Sequence, residues 1–245
     1  MLGCACGRVG FEPTGGDSGT GTRDGGTAGD ARDASVAGQI TWVRTVVGRN
    51  WPNGTTDTFA VRAHAAGDAF LFAISCVTTI APTAATLTAP GWTIAQLDPI
   101  AAASSGGFYV ASFAAVAPDT SATTFTLTWT AAAGCTSGSA EIGDEFAMND
   151  PTGGATTFDA HALVVGTGTC IGSVTTGHAN DAIWAACHAT SGVGGVGSGY
   201  IKATDDADGD WSEYKITTDP SGTVEQPTFV ESSAFILAVA AIKPQ

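Results

Sequence analysis

From Thr124 to Thr130 every second residue is a threonine, and the residues between are Phe125, Leu127 and Trp129. A period of two puts the three apolar side chains on one face of an extended chain and the hydroxyls on the other. That segment must be a strand lying on an apolar layer. Composition extends the expectation to the rest of the chain. Leu, Glu, Lys, Arg and Gln, which favour long helices, are scarce, and no Lys or Arg occurs between Arg62 and Lys202. Thr, Val, Phe, Trp and Tyr favour strands, while Gly, Asn, Asp and Pro punctuate turns. The chain is expected to be all-β.

Further strands are predicted at residues 40–46, 58–61, 70–76, 92–97, 108–116, 141–148, 161–165, 171–175, 182–187, 200–203, 213–217, 228–230 and 234–242. Many short strands separated by turn residues imply a sandwich or barrel. The charge balance excludes one class of partner. Acids outnumber bases 23 to 9, giving −14, whereas a nucleic-acid binder needs a basic face to replace phosphate counterions. No apolar run approaches the roughly 18–20 residues that span a bilayer. A hydrophobic fraction of 44% is enough to build a core.

The two ends of the chain differ in character. Residues 14–38 carry one aliphatic side chain larger than Ala, Val36, among recurring Gly and Asp. Such a stretch cannot bury enough apolar surface to offset its chain entropy, so it is expected to be a disordered tether. At roughly 5–6 Å × √n it would span about 25–30 Å. Ahead of it stands Leu2-Gly3-Cys4, followed by Ala5 and Cys6. This tripeptide resembles the end of a bacterial lipobox, in which Cys4 would be the lipidated residue. No charged and apolar signal region precedes it, so either the true start lies upstream or the likeness is accidental. The order of acylated cysteine, acidic spacer and β domain resembles surface lipoproteins of Gram-negative bacteria. That resemblance implies an outer-membrane anchor through an N-terminal lipid, and an extracytoplasmic or secreted protein. The expected organisation is residues 1–38 as lipobox-like start and linker, and 39–245 as the β-sandwich domain.

Within the domain the two halves echo each other. His64-Ala65-Ala66-Gly67-Asp68-Ala69 recurs, one residue shorter, as His178-Ala179-Asn180-Asp181-Ala182. Each precedes an apolar strand containing a cysteine, Cys76 or Cys187. Gly or Asn reaches a left-handed backbone there and Asp caps the turn, so both His and Asp pairs are assigned a turn role. A weak internal duplication of this kind implies two similar sets of strands packed face to face.

The segments GDAFLFAIS, GWTIAQLDP, FYVASFAAVAPDTSATTFTLTW, NDAIWAA and AFILAVAAIKP resemble a jelly-roll-like β-sandwich module of secreted bacterial surface proteins. Tyr109 and the Ala117-Pro118 turn match that pattern, while Asp144-Glu145-Phe146 departs from its Glu-Tyr-Ser-Gly motif. The resemblance implies a two-sheet antiparallel sandwich with a cell-surface, adhesive or polysaccharide-associated setting.

Four cysteines, Cys76, Cys135, Cys170 and Cys187, fall in the domain. In an exported chain an even number implies two disulfides, with three connectivities open. Pairing nearest neighbours favours Cys76–Cys135 and Cys170–Cys187; zinc is the alternative, but no Cys-x₂-Cys spacing supports it.

Candidate chemistry is sparse. Asp206, Asp208 and Asp210 alternate in a tight acidic segment and resemble the start of a calcium loop. The twelfth position is Thr217 rather than Glu, and a solvated surface loop is the competing reading. Calcium is the one cofactor the pattern suggests; none is required. Trp51 and Trp211 fall in predicted loops beside Asn or Asp, where a ring can stack on a sugar; each can equally cap the core edge. Trp42, Trp92, Trp129 and Trp184 are assigned to the core. Asp144 and Glu145, being adjacent in a strand, point to opposite sides and make a poor acid–base pair. No Gly-x-Ser-x-Gly elbow occurs, and the glycines at 194–197 precede no helix that would hold a phosphate. The expectation is a non-catalytic surface or secreted binding or adhesion module whose partner is a glycan or surface polymer. A purely structural surface domain and an unrecognised hydrolase are the alternatives.

Overall fold

The structure, a computed structural model, describes residues 40–136, 138–148, 158–206, 209–231 and 233–244. Cys4 and the expected tether lie outside the described residues, as does Asp208. In chain order the strands are β1 (Thr41–Asn50), β2 (Thr56–Val61), β3 (Ala69–Val77), β4 (Ala84–Thr88), β5 (Thr93–Gln96), β6 (Ala101–Ala102), β7 (Phe108–Val116), β8 (Thr123–Thr130) and β9 (Ala140–Ala147). Then come β10 (Phe158–Thr167), β11 (Cys170–Ile171), β12 (Val174–Thr175), β13 (Ala182–Ala189), β14 (Ile201–Asp205), β15 (Trp211–Ile216), β16 (Val224–Glu225), β17 (Thr228–Phe229) and β18 (Ala234–Ile242). No helix occurs among the described residues.

The duplication is visible in the strand order. One large antiparallel sheet runs β1-β9-β3-β7-β5, with β6 also on β7; the other runs β10-β18-β13-β15-β14. Each places its half's first strand beside the last, which is the jelly-roll path. The two large sheets face each other across a shared core. From one side come Leu71, Val110, Ile142 and Phe146; from the other come Trp184, Ile236, Ala238, Ala240 and Ile242. Alanines along β13 and β18 keep that second surface low. Trp184, 1% exposed, fills the space they leave.

Each large sheet also carries a cover on its outer face. In the first half the cover is the three-stranded sheet β2-β8-β4. Phe59, Phe125, Leu127 and Trp129 from it pack on Phe70, Phe72, Ile74 and Phe113. The threonine-alternating segment is β8, with its apolar face buried as expected. In the second half the cover shrinks to the two-residue pairs β11-β17 and β12-β16. Both central sheets are therefore buried on two faces, which is why β3, β13 and β18 read as near-continuous apolar runs, interrupted by Ser75 and His188, rather than alternating ones.

Some elements differ from the expected ones for local reasons. The strand expected at 171–175 splits into β11 and β12 at Gly172, where a Cβ would meet the Leu237 side chain at 2.7 Å. β4 was not expected, because Ala-Ala-Thr-Leu-Thr is a weak strand signal by itself. Its pairing with β8 supplies what propensity lacks. Gly67 and Asn180 have φ of 86° and 67°, as the turn argument requires. Asp68 Oδ2 accepts from the Ala65 N–H at 2.7 Å, and Asp181 Oδ2 from the His178 N–H at 3.4 Å.

One buried carboxylate joins the halves. Asp144 in β9 is fully buried. It accepts from Trp184 Nε1 at 2.8 Å, Thr204 Oγ1 at 2.9 Å and Ser212 Oγ at 2.6 Å, all in the second half, and from Trp42 Nε1 at 3.4 Å in its own. Burial pushes its pKa up, against those hydrogen bonds. Its neighbour Glu145 points the other way, to Arg44 Nε at 2.6 Å.

Candidate functional site

The two disulfides are Cys76–Cys135 and Cys170–Cys187. Cys76 and Cys187 occupy the cover-facing side near the ends of β3 and β13, so each bridge ties a cover segment to the central strand of its half. Just beyond them, where β3 and β13 finish, the halves diverge and leave a cleft of about 740 Å³. Its walls are built from segments that leave the strands together. Val77, Thr78 and Thr79 leave β3, Gly106 and Gly107 approach β7, and Thr136 follows Cys135. Ala189, Thr190, Ser191 and Gly192 leave β13.

Backbone bonds brace these walls. The Thr78 N–H donates to Gly107 O at 2.8 Å, and the Thr136 N–H to Val77 O at 2.9 Å. Gly107 has φ of 71°, and a Cβ there would lie 3.2 Å from Thr78 O, so the close approach needs glycine. The Ser191 hydroxyl donates to Glu231 Oε1 at 2.9 Å and that of Thr190 to Ser233 at 3.0 Å.

Asp210 also lines the cleft. Its carboxylate is almost wholly buried and used from within: Oδ2 lies 2.8 Å from His188 Nδ1, and Oδ1 accepts from the Ala189 N–H at 2.9 Å. His188 is fully buried. Burial pushes the imidazole pKa down, but the adjacent Asp210 carboxylate outweighs it and holds the value above the usual one. Asp206 Oδ1 accepts from the Asp210 N–H at 2.8 Å, and burial with the nearby Asp210 charge pushes Asp206 up to about 6. Asp206 and Asp210 thus brace the turn into β15 and the end of β13, in place of the outward-facing oxygen set a calcium loop needs. Glu213, the acid that might have completed such a loop, bonds instead to the Gly197 N–H at 2.7 Å and the Thr228 N–H at 3.0 Å. The glycines at 194–197 are held by these backbone contacts.

The two aromatic ligand candidates fare differently from expectation. Trp51 is 2% exposed and sits in the first-half core with its indole N–H on Gly54 O at 3.3 Å. It offers no ring face to a sugar, because the chain after β1 folds inward under Ser139 rather than out into solvent. Trp211 opens β15 instead of lying in a loop, and Lys202 Nζ lies 3.6 Å from its ring centroid. One face of that ring is thereby occupied, and Trp211 is not part of the cleft.

Sequence reasoning missed the cleft because no residue type marks it. Its lining is mostly threonine, serine and glycine, with Val77, Phe108, Ala189 and Asp210 among them, drawn from five separate segments. The one sequence signal was the paired cysteines, since Val77 and Thr136 each directly follow a bridged one. Comparison with protein-family models, curated proteins and solved structures gives no match.

Proposed function

We propose that the chain is a non-catalytic binding module of an exported, surface-held protein and that it takes a small neutral carbohydrate in the cleft between its halves. The cleft itself carries this reading: its volume falls within the range of small-molecule sites, and its lining offers Thr and Ser hydroxyls and backbone groups beside Val77, Phe108 and Ala189, with the Asp210 carboxylate turned to His188 and no Lys or Arg. With a net charge of −14 the protein repels anionic ligands, so a hydroxyl-rich neutral ligand fits best. His188, the imidazole nearest the cleft, is sealed beneath it and bonded to Asp210, and the Glu231 carboxylate beside Ser191 is already engaged by the Ser191 hydroxyl and the Ser233 N–H. Two disulfides suit an oxidising compartment. Anchoring through Cys4 would complete a surface lipoprotein.

The test is a glycan array followed by calorimetry on Thr79→Trp and Ser191→Trp, which fill the cleft from either wall. Retention of a neutral glycan that either variant weakens at least tenfold is expected. If the array retains nothing, the module is a structural one. If binding survives both variants, the ligand sits elsewhere, with the free edge of Trp211 the next place to look.

A further inference from the structure

The two halves can be compared residue by residue through their strand registers, and one difference lies beside the turn that leads into the central strand. In the first half β1 bulges between Trp42 and Arg44, making Val43 the extra residue; in the second, β10 bulges between Phe158 and Ala160, making Asp159 the extra one. Bulges re-aim side chains, and here the second half gains a carboxylate aimed at the turn before β13. Three substitutions accompany each other across the repeat: Val43 becomes Asp159, Arg44 becomes Ala160, and Ala63 before the turn histidine becomes Gly177.

In the first half the equivalent site is complete. Asp68 Oδ2 is taken by the Ala65 N–H and Oδ1 by the Met148 N–H, while Glu145 is paired with the Arg44 guanidinium. Two carboxylates there are balanced by one built-in cation. In the second half, Asp159, His178 and Asp181 bring one ligand atom each to within 4.8 Å of one another. No lysine or arginine forms an ion pair with Asp159 or Asp181 among the described residues. Asp181 is fully buried, and its Oδ1 has no hydrogen-bond partner. A buried carboxylate oxygen left so is costly unless a ligand supplies what the protein does not. Gly177 makes the arrangement fit, because a Cβ at that position would collide with the Asp159 carboxylate.

We propose that Asp159, His178 and Asp181 bind a first-row divalent metal ion, which supplies to this half the positive charge that Arg44 supplies to Glu145 in the first. His178 Nδ1 and Asp159 Oδ2 are 3.2 Å apart. Two ligands at 2.0–2.1 Å on a tetrahedral ion are separated by roughly 3.4 Å. An imidazole with two carboxylates selects zinc, cobalt or manganese over calcium, which wants six to eight oxygens. Three protein ligands leave a position for water or an outside oxygen, on the side where His178 is half-exposed.

The probe is Zn²⁺ added by calorimetry to the chelator-treated full chain, with Ca²⁺ in parallel and Co²⁺ followed by its visible absorption. One Zn²⁺ per chain is expected, with Co²⁺ giving the absorption of a four-coordinate ion. Loss of an outer hydrogen-bond partner typically weakens a metal site by about 10–100-fold, and losing a ligand should do at least as much. Asp159→Asn and His178→Gln, both on side chains that reach the surface, should therefore weaken Zn²⁺ at least tenfold. Gly177→Ala should do the same by displacing Asp159. Asp181→Asn would also disturb the turn, so the case does not depend on it. His64→Ala, at the matching turn of the first half, should leave binding unchanged. Absence of Zn²⁺ binding to the folded wild type, binding undiminished in Asp159→Asn, or equal loss in His64→Ala would each overturn the proposal.

Discussion

The two halves share a strand path and satisfy it with different chemistry. The first half carries its burial in aromatic rings. Phe125 lies 5.5 Å from Phe59, 5.6 Å from Phe72 and 4.8 Å from Trp92 by ring centroid. It also buries acids against arginine, with Glu145 on Arg44 and Glu141 on Arg49. In the second half the positions matching Glu141, Asp144 and Glu145 are Leu237, Ala240 and Ala241, as the pairing of β13 with β18 shows. Charge has been replaced there by apolar side chains, and the cover has dwindled to four two-residue strands. The path of the jelly roll therefore does not dictate how its faces are filled. It fixes only which residues face inward.

The largest expected effect comes from the aromatic cover. Phe125→Ala removes a fully buried ring from the centre of the first-half cluster. Such truncations cost about 3–5 kcal/mol. Phe229→Ala in the second-half cover also removes a fully buried ring. Phe229 sits on a two-residue strand, whose neighbours can collapse into the space more easily, so its cost should fall at the lower end of that range. Urea unfolding of both variants measures the difference. Equal losses would mean that the thinner cover is packed as rigidly as the thicker one.

The disulfides sharpen the comparison next. Cys76–Cys135 spans 59 residues and Cys170–Cys187 spans 17. By the loop-entropy argument, opening them costs about 4 and about 3 kcal/mol respectively. Local consequences should run the opposite way. In the first half three paired strands still hold the cover, whereas in the second Cys170 is half of β11. Replacing Cys170 and Cys187 with Ala should therefore speed amide exchange in β11 and β17 selectively. The Cys76/Cys135 double Ala variant should lower the unfolding midpoint more, with exchange in β8 still slow. Hydrogen exchange with mass spectrometry reads both.

How much of this was legible in the sequence depends on whether the signal was local. The alternation at Phe125, Leu127 and Trp129 is local, and so are the two turns with their left-handed Gly67 and Asn180; both appear as expected. The repeat was legible as a motif and correctly implied two facing sheets. The covers on their outer faces were not, because a strand as short as Val224–Glu225 has no period to read. Trp51 looked like a loop residue by its Asn and Pro neighbours, yet the Trp51 N–H donates to Ser139 O 2.7 Å away, 88 residues along the chain, and this turns it inward. The Asp159 cluster needed the register itself. Nothing near Asp159 in sequence distinguishes it until β10 is laid beside β1 and the bulges are seen to coincide.

The smallest expected effect concerns buried acids with and without a cation. Burial pushes Glu141 up to about 7 even though Arg49 opposes it, and pushes Glu213 up to about 7 against two backbone N–H donors. Their ordinary value is 4.5. A folded-state pKa above the unfolded one means the folded protein binds more protons between those two values, so stability falls as pH rises from about 4.5 to about 7 and levels off above. The unfolding free energy should therefore be larger at pH 5 than at pH 8, by an amount on the order of 2–3 kcal/mol per group, since about two pKa units are crossed and each corresponds to about 1.4 kcal/mol. Glu213→Gln should flatten that slope. Glu141→Gln should flatten it less cleanly, because it also releases Arg49, which still has Asp57 to pair with. A stability profile that rises from pH 5 to pH 8 would show that the cation and the backbone donors outweigh burial in both halves, and the contrast between arginine-paired and amide-held acids would then carry no energetic weight.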